Sequence, residues 1–406
     1  MRFVVAQLGA RRNYAVPVIL EKAGMLERFY TDFAGNVGPG KWVVKCGPLL
    51  GFGKAAARLA GRRVPDLIKP KTVSLMTGRF WHDAKAAISD GDPAARFYHQ
   101  LRQSRAFGNA AIGRGFGAAT HLYSMLGECG PLLSSARHRG LTVATEVYIL
   151  LSTERILADE QRRFPEWEQA PVDLELIRNR FPEQKELLSL TDYAVCPSDA
   201  VRRDLEDSFG FTKGRGVVVP YGVDPSWLDL QVRPVGGRVL FVGTAGLRKG
   251  IQYLAKAAEI LQGRGRRYEF RIAGEVTQGI ARLAECRHLS FVGRVPRDRI
   301  QGEFKSADVF VLPSLAEGSA EVTYEALAAG VPVITTEAAG SVVRHGLDGW
   351  IVPERNSPAL AEAIELIVEN RQLRAARSLA ARARARDYTL ERYGQRLVAA
   401  LRTFGT

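Results

Sequence analysis

The sequence lacks the long apolar runs and the cysteine spacings that mark membrane-spanning and disulfide-rich proteins. No uninterrupted apolar stretch reaches the roughly 20 residues that a spanning helix needs. The opening residues MRFVVAQLG have neither the length nor the cleavage site of a signal peptide. The four cysteines lie far apart without a CxxC or Cys/His ligand spacing, so neither a disulfide framework nor a zinc site is indicated. We therefore expect a cytoplasmic protein.

Acidic residues are fewer than basic ones, 43 against 57, which gives a formal net charge of +14. Such a charge indicates a polyanionic partner, which is a nucleic acid, an anionic membrane surface or a phosphorylated substrate. Residues 41–80 hold nine basic residues and one acid, Asp66, interleaved with apolar residues. This mixture suits a segment that lies on anionic lipid, and a solvated basic loop is the alternative. A second arginine cluster, at 371–386, falls in an alanine-rich stretch and predicts an exposed helix face.

The second half of the chain alternates between short apolar runs and amphipathic stretches. The runs are RVLFVG, YEFRIAG, LSFVG, DVFVLP and VPVITT, and the helix-like stretches between them are KGIQYLAKAAEILQG, TQGIARLAE, PRDRIQGEFKSA and SAEVTYEALAAG. Strands that are apolar on both faces, separated by amphipathic helices, predict a parallel sheet covered on both sides. We therefore predict a Rossmann-like domain here.

The first half repeats this pattern more loosely. Its candidate strands are RFVVAQ (2–7), ATHLYSM (119–125), LTVATEV (141–147), DYAVCP (192–197) and GVVVP (216–220). Residues 36–80 do not fit and are interpreted as a basic insertion. The length of 406 residues suits two domains of roughly 200 residues each.

We therefore predict an α/β protein with two Rossmann-like, doubly wound domains that face each other across a cleft. The predicted bounds are 1–226 for the N-terminal domain and 227–386 for the C-terminal domain, with a final helix in 387–406 that packs back on the N-terminal domain. The turn-like stretches YGVDPSW and PVGG bracket the predicted hinge.

Three carboxylates lie within the nine residues EGSAEVTYE, which begin at Glu317 and follow an apolar run. Ser319 is predicted to be the N-cap of a helix, so that the N–H group of Ala320 and those that follow it point into the cleft as an anion site. Carboxylates cannot hold phosphate, but Glu317 and Glu325 can accept hydrogen bonds from hydroxyls. The stretch therefore indicates a ligand that carries both hydroxyls and phosphates.

Cations are supplied by the loop TAGLRKG, which follows the run RVLFVG. Arg248 and Lys249 lie there between a strand and a helix, where they can reach a phosphate pair. Each charge-assisted hydrogen bond contributes on the order of 1.5 to 3 kcal/mol.

Several of these motifs resemble, in the right order, those of the retaining glycosyltransferases of family 4, which have the GT-B fold. They are PSLAEGSAEVTYEALAAGVPVI with its E-x7-E spacing, VGTAGLRKG, VVVPYGVD and AAGSVVRHGLDGWIVP. The resemblance covers about residues 190–360 and is weaker in the N-terminal half, where acceptors normally bind. It implies an enzyme that uses a nucleotide diphosphate sugar as donor and needs no metal or other cofactor.

The resemblance also implies roles for single residues. Glu317 matches the glutamate that contacts hydroxyls of the transferred sugar, and Glu325 matches the one that binds the ribose. Arg248 and Lys249 match the basic pair that stabilises the departing diphosphate. The further donor contacts that it implies are Gly243 in the same loop, Gly318, Ser319 and Ala320 in the loop whose amides approach the sugar and phosphate, and Gly293 and Arg294 beside the base.

Two positions depart from the family pattern. The first turn reads Gly9-Ala10-Arg11-Arg12-Asn13-Tyr14, where the family often has a Gly-Gly pair at the donor phosphate. Gly9 is the one glycine of this turn, and it is predicted to contact the donor. Arg11 or Arg12 instead faces a phosphorylated acceptor, or the turn is a plain surface turn. Glu146 stands where many members have a histidine near the reacting carbon, and it is predicted either to act on the substrate or to make a structural hydrogen bond.

The sequence thus predicts a retaining glycosyltransferase that acts on a lipid-linked, glycan or other membrane-proximal acceptor. Bacterial surface polysaccharide or glycolipid synthesis, at the inner face of the cell membrane, is the expected setting. The alternatives are a sugar-nucleotide epimerase or phosphorylase of the same fold, and a non-catalytic basic protein that binds membrane or nucleic acid. The paired acids at the helix start disfavour the binding of nucleic acid, because they would repel its phosphate backbone.

Overall fold

The computed structural model describes residues 1–46, 61–77, 93–168, 186–277 and 279–405, and their strands form two parallel sheets. The first sheet contains β1 (Phe3–Gln7), β2 (Leu26–Thr31), β3 (Thr72–Ser74), β4 (His121–Met125), β5 (Thr142–Glu146), β6 (Tyr193–Cys196) and β7 (Gly216–Val218). Its strand order is β3-β2-β1-β4-β5-β6-β7.

The second sheet contains β8 (Arg238–Val242), β9 (Glu269–Ala273), β10 (Leu289–Gly293), β11 (Val309–Leu312), β12 (Val333–Thr335) and β13 (Gly349–Ile351). Its order is β10-β9-β8-β11-β12-β13, and the paired strands of both sheets are parallel. Two doubly wound sheets confirm the predicted α/β architecture with two Rossmann-like domains. The change of sheet falls between β7 and β8, and the boundary at residue 226 stays a prediction.

Helices cover both sheets. They are α1 (Ala15–Lys22), α2 (Gly40–Cys46), α3 (Pro93–Arg114), α4 (Leu132–His138), α5 (Thr153–Arg163), α6 (Asp199–Arg203), α7 (Ile251–Gly263), α8 (Ile300–Ser306), α9 (Glu321–Ala329), α10 (Ser357–Glu369), α11 (Arg371–Arg386) and α12 (Leu390–Arg402). Among the described residues, no helix combines the length and the apolar character needed to cross a membrane.

The core of the second domain brings the loops of the site together. Strand β11 reads VFVL and is buried at every position, as expected for a strand covered by helices on both faces. The loops after β8 and β11 touch at Gly250, which has a φ of +72°. A Cβ atom there would lie 1.9 Å from the carbonyl oxygen of Pro313, so only glycine allows this approach.

Two sequence predictions on local structure are corrected. Residues 72–74, inside the predicted insertion, form the edge strand β3, because Thr72, Val73 and Ser74 pair with β2. In place of the predicted amphipathic helix in TQGIARLAE, the described residues from 280 onward lie in two short 3-10 turns, Ile280–Arg282 and Ala284–Cys286. Neither segment is long enough for its periodicity to be a reliable signal.

The arginines of α11 do not all lie on the exposed face that the sequence predicted. Two are exposed and one is buried, and the others are half-buried: Arg371 and Arg386, then Arg374, then Arg377, Arg382 and Arg384. Arg374 is buried and donates from Nε to the carbonyl oxygen of Asp308 at 3.2 Å. Arg382 donates to the carbonyl oxygen of Ala329 at 2.7 Å, at the last residue of α9. Carbonyls at a helix end lack partners within the helix. The prediction is wrong for Arg374 and Arg382, because these side chains bind carbonyls that other elements leave open.

The chain returns to the first domain at its end. Val223 and Thr389 form an isolated parallel bridge. A Cβ atom on Gly222 would lie 2.5 Å from the carbonyl oxygen of Thr389, which requires glycine next to the bridge. Helix α12 then lies on α1, with Gly394 directly against Ile19.

Candidate active site

Glu317 forms ion pairs with both cations that the sequence placed in the β8–α7 loop. Its Oε1 atom lies 2.6 Å from Lys249 Nζ and 2.7 Å from an Arg248 Nη atom. The Lys249 and Glu317 side chains are only 13% and 12% exposed. Burial raises the pKa of Glu317, but the charges of Lys249 and Arg248 outweigh it and hold that pKa below its usual value. The carboxylate is therefore ionised beside two cations.

The position of Lys249 depends on a glycine. Burial lowers the pKa of Lys249, and the attraction of Glu317 partly offsets this. Its side chain runs over Gly243, where a Cβ atom would lie 2.9 Å from Lys249 Cε. Gly243 has a φ of +141°, a conformation that L residues with a side chain rarely adopt. Gly243 thus makes room for the cation, and its contact with a donor stays a prediction.

The loop after Glu317 packs tightly against the other domain. A Cβ atom on Gly318 would lie 1.8 Å from the carbonyl oxygen of Tyr148, which follows β5 in the N-terminal domain. The carbonyl oxygen of Gly318 accepts a hydrogen bond from Ser198 Oγ at 2.6 Å. Gly318 is therefore the point at which the two domains touch beside the ion pairs.

The start of α9 differs from the sequence prediction. Ala320 is the N-cap residue, and the Ser319 hydroxyl makes no capping bond. It lies 2.7 Å from the Tyr324 hydroxyl and donates to the carbonyl oxygen of Gly340 at 2.7 Å. The N–H of Ala320 donates to the carbonyl oxygen of Ala339 at 3.0 Å and does not point freely into the cleft. The predicted Ser319 N-cap is wrong, because these partners hold the loop in place of a cap.

Glu325 faces a cavity of about 210 Å³ between the two domains. Glu321, which is exposed, and Arg297 line the same cavity, as do Arg12 and Asn13 from the N-terminal domain. Burial raises the pKa of Glu325 to about 7, the charge of Arg297 acts against this shift, and the charge of Glu321 adds to it. A carboxyl group with a pKa near neutrality in a cleft is a functional-site candidate.

The first turn of the N-terminal domain is held by buried carboxylates that no sequence motif indicated. The N–H of Leu8 donates to Glu128 Oε2 at 2.9 Å, and that of Gly9 donates to Asp32 Oδ1 at 2.8 Å. Arg11 Nε donates to Glu128 Oε1 at 2.7 Å, so this arginine binds within its own domain. The role of Gly9 as a donor contact stays a prediction.

Glu146 is almost fully buried at the end of β5 and has three polar partners. Nη2 of Arg12 donates to its two oxygens at 2.7 and 2.8 Å. The hydroxyls of Tyr123 and Tyr221 donate to it at 2.6 and 2.8 Å. The guanidinium of Arg12 also lies 4.0 Å above the Tyr221 ring. A carboxylate with these partners fits the structural alternative that the sequence left open, and a catalytic role stays a prediction.

Gly293 and Arg294 lie at the end of β10, on the edge of the second sheet. Gly293 has a φ of +73° and its carbonyl oxygen accepts the N–H of Gly274 at 2.8 Å. Arg294 is exposed and pairs with Glu275 at 3.2 Å. The contact of these two residues with the base of a nucleotide stays a prediction.

Two glutamates, the half-buried Glu168 and the fully buried Glu160, join the N-terminal domain to the β8–α7 region. Glu168 Oε1 accepts the N–H of Leu247 at 2.7 Å, and glycine at position 246 leaves the room for this approach. Glu160, at the end of α5, accepts hydrogen bonds from Gln252 Nε2 at 2.9 Å and from the Tyr253 hydroxyl at 2.8 Å. These contacts join residues about 80 to 90 positions apart, and periodicity carries no such information.

We expect Glu160→Ala to lower the free energy of unfolding by about 2 to 4 kcal/mol, because the Tyr253 hydroxyl loses its acceptor and Arg355 loses its ion pair with Glu160. Urea unfolding measures this change. Asp159→Ala is the control, since Asp159 also pairs with Arg355, at 3.1 Å, but its side chain is 36% exposed. This variant should cost less than about 1 kcal/mol. Equal effects of the two variants would contradict this prediction.

Comparisons with known proteins match part of the chain in sequence, and the family-model match lies in the C-terminal domain. Residues 236–370 match the family model described as glycosyl transferases group 1. The chain is 31% identical over 165 residues to the amylovoran biosynthesis glycosyltransferase AmsK of Erwinia amylovora, a match that covers 36% of this chain and 40% of that one. It is 29% identical over 204 residues to the putative colanic acid biosynthesis glycosyltransferase WcaL of Salmonella typhimurium, covering 46% and 50%. The chain thus spans half or less of the length of these relatives.

The whole chain matches solved structures in fold. Anabaena Alr3699/HepE in complex with UDP superposes with a TM-score of 0.61 at 14% identity, over 99% of this chain and 100% of that one. At this identity the likeness establishes the fold alone. The two Rossmann-like domains have the GT-B arrangement that the sequence predicted.

Proposed function

We propose that this chain is a retaining glycosyltransferase of family 4, which moves a sugar from a nucleotide diphosphate donor to a glycan or lipid-linked acceptor. The observation that carries the proposal is the ion pair of Glu317 with Arg248 and Lys249, beside the point where the domains touch. A carboxylate that can accept hydrogen bonds from sugar hydroxyls thus lies within hydrogen-bonding distance of two cations that can bind phosphate. The glycosyl transferases group 1 match covers the loops that hold all three residues.

In the proposed reaction, the bond between the sugar and the diphosphate breaks as an acceptor hydroxyl attacks from the same face. A donor phosphate oxygen takes the hydroxyl proton, so the chain need not supply a base. Lys249 and Arg248 stabilise the negative charge that develops on the diphosphate, and they act strongly because the site is largely buried. Glu317 orients the sugar through its hydroxyls.

The nucleotide is proposed to lie along the C-terminal domain. Glu325 would accept hydrogen bonds from the ribose hydroxyls, and the base would lie near Gly293 and Arg294 at the end of β10. The release of a nucleoside diphosphate is supported by the UDP in the Anabaena structure of the same fold. The remaining proposed donor contacts are Gly9, Gly243, Gly318 and Ser319.

The acceptor is proposed to be a growing surface polysaccharide or glycolipid. This rests on the names of the two relatives, which refer to amylovoran and colanic acid biosynthesis. We propose further that the protein binds the inner face of the cell membrane through residues 41–80. Residues 47–60 and 78–80 of this segment lie outside the described residues. In the described part, Trp42 is 68% exposed on α2, between the exposed Lys41 and Lys45.

We expect Trp42→Ala to weaken binding to vesicles of anionic lipid by about tenfold, because an exposed indole between two lysines suits the lipid interface. Sedimentation with phosphatidylglycerol vesicles measures the change. Leu379→Ala is the control, since Leu379 is 75% exposed but lies on α11 in the other domain. Equal losses for both variants, or binding that does not weaken with salt, would contradict this membrane surface.

The function is tested with a panel of nucleotide diphosphate sugars, scored by thermal shift and by release of free nucleotide with and without an acceptor glycan. A donor at a hundredfold excess over its Kd stabilises the fold by roughly 2.7 kcal/mol. One donor that shifts the melting temperature and releases nucleotide only with an acceptor supports the transferase. Conversion of the donor sugar without an acceptor would show an epimerase, and no shift with any donor would overturn the proposal.

A further inference from the structure

The turn between β1 and α1 contains three consecutive residues in the left-handed region. The φ angles of Arg12, Asn13 and Tyr14 are +43°, +51° and +63°. Residues with a side chain rarely adopt this region, and a run of three costs free energy that surrounding contacts must offset. Such strain persists only where many surrounding contacts hold the backbone in place. Strained residues of this kind occur most often at functional sites.

Three buried carboxylates from other elements hold the strained turn in place. Asp32 and Glu128 bind the N–H groups of Gly9 and Leu8 just before the strained run. Glu146 binds Arg12, the first residue of the run, with both of its oxygens. The Arg12 side chain is only 6% exposed, so the ion pair is shielded from water. The turn is therefore held at two places, just before the strained run and at its first residue.

The fixed turn presents Asn13 to the cavity between the domains. Asn13 is exposed and lines the cavity of about 210 Å³, together with Glu325 of the C-terminal domain. Its amide carries two donor hydrogens and an acceptor oxygen, which can bind a hydroxyl or the edge of a base. Arg12 lines the same cavity but is already bound to Glu146. Asn13 is thus the side chain of the strained run that is available to a ligand.

We infer that Asn13 contacts the nucleotide part of the donor across the cavity from Glu325, and that Glu146 is a positioning residue that acts on Asn13 through Arg12. The inference rests on the proposed function and adds to it a specificity contact from the N-terminal domain. It also assigns Glu146 a role that requires no contact with the reacting sugar.

The first test compares Asn13→Gly and Asn13→Asp. Glycine accepts the left-handed conformation and removes the amide, whereas aspartate keeps the shape and replaces the two donor hydrogens by a negative charge. We expect both variants to weaken the binding of UDP, GDP or ADP, whichever the wild type binds, by about tenfold or more. The melting temperature of Asn13→Gly should stay within a degree or two of wild type, since no packing is lost.

The second test separates positioning from direct contact by a double-mutant cycle. Glu146→Gln removes the charge that holds Arg12, and Tyr123→Phe removes one hydrogen bond to Glu146 without touching Arg12. If Glu146 acts through Asn13, Glu146→Gln should weaken nucleotide binding in the wild type but change it less than twofold in the Asn13→Gly background. Tyr123→Phe should have a smaller effect than Glu146→Gln.

The outcomes separate this inference from the proposed function. If Asn13→Gly binds the nucleotide as well as the wild type does, the inference is overturned and the proposed transferase function is unaffected. Additive effects of Glu146→Gln and Asn13→Gly overturn the positioning role alone. Binding of no nucleotide by the wild type overturns both. Loss of binding accompanied by a large fall in the melting temperature of Asn13→Gly would show that the residue is structural, which also overturns the inference.

Discussion

Replacing Lys249 by alanine is expected to reduce turnover of the proposed transferase by about 10²- to 10³-fold, with a much smaller change in donor affinity. Lys249 is the more buried of the two cations at Glu317, with 13% of its side chain exposed against 31% for Arg248. A charge in a shielded site interacts more strongly with developing charge than one in water. Its removal should therefore affect the transition state, in which the diphosphate leaves, more than the bound donor.

The measurement is kcat and KM for the donor that the panel identifies. Lys256→Ala is the matched control, because Lys256 is an exposed lysine on the following helix α7, and it should keep kcat within about twofold. Arg248→Ala should fall between the two variants. A Lys249→Ala enzyme that retains more than a tenth of wild-type kcat would exclude Lys249 from stabilising the leaving group.

The fold could be predicted because its signal is local. Strands such as β8 and β11 are buried on both faces and are therefore continuous apolar runs, which the sequence displays directly. Strand β2, LERFYT, has two charged, half-buried residues, Glu27 and Arg28, directly after its first residue. Strand β3 has three residues and lies at the sheet edge. Short or half-exposed strands have no such run, which is why the sequence prediction missed both.

The candidate site could be predicted only where the spacing of residues in a short motif determines which side chains meet. Glu317, Arg248 and Lys249 were identified from motif spacing, and the ion pairs bring them together. Glu128 and Glu160 were not, since their partners lie about 90 to 120 positions away. Carboxylates of this kind are indistinguishable in sequence from surface acids, because only the tertiary structure shows that they are buried.

The position of Glu146 could be predicted from the sequence, but its role could not. The sequence placed it at the carboxyl end of β5, beside the cleft, and the structure agrees. Its partners come from three other regions, Arg12, Tyr123 and Tyr221. Whether a carboxylate at this position acts on a substrate or holds a neighbour depends on those partners, and no local pattern contains them.

The second large effect is expected at Glu325, where stability and binding should change in opposite directions. We expect Glu325→Gln to raise the free energy of unfolding at pH 8 by up to about 3 kcal/mol and to leave it nearly unchanged at pH 4. In the same variant, the affinity for the nucleotide should fall by about tenfold or more, because the ribose loses an ionised acceptor.

The sign follows from the direction of the pKa shift. Burial raises the pKa of Glu325 from 4.5 to about 7, so the folded state holds its proton more tightly than the unfolded state. The destabilisation by Glu325 is therefore absent below pH 4.5, grows between pH 4.5 and 7, and is complete above pH 7. Glutamine has no proton to lose, and so the variant gains stability only where wild-type Glu325 is ionised.

Urea unfolding at pH 4, 6 and 8, with nucleotide titrations at the two higher values, measures both effects. Glu321→Gln is the control: Glu321 lies one turn before Glu325 on α9 and is exposed, so it should stabilise the fold by less than about 1 kcal/mol. Wild-type nucleotide affinity should also fall between pH 8 and pH 6, as Glu325 takes up its proton. A Glu325→Gln variant no more stable than wild type at pH 8 would show that this carboxylate is well solvated. That result would contradict the raised pKa of Glu325 and remove the main support for a ribose site in the cavity.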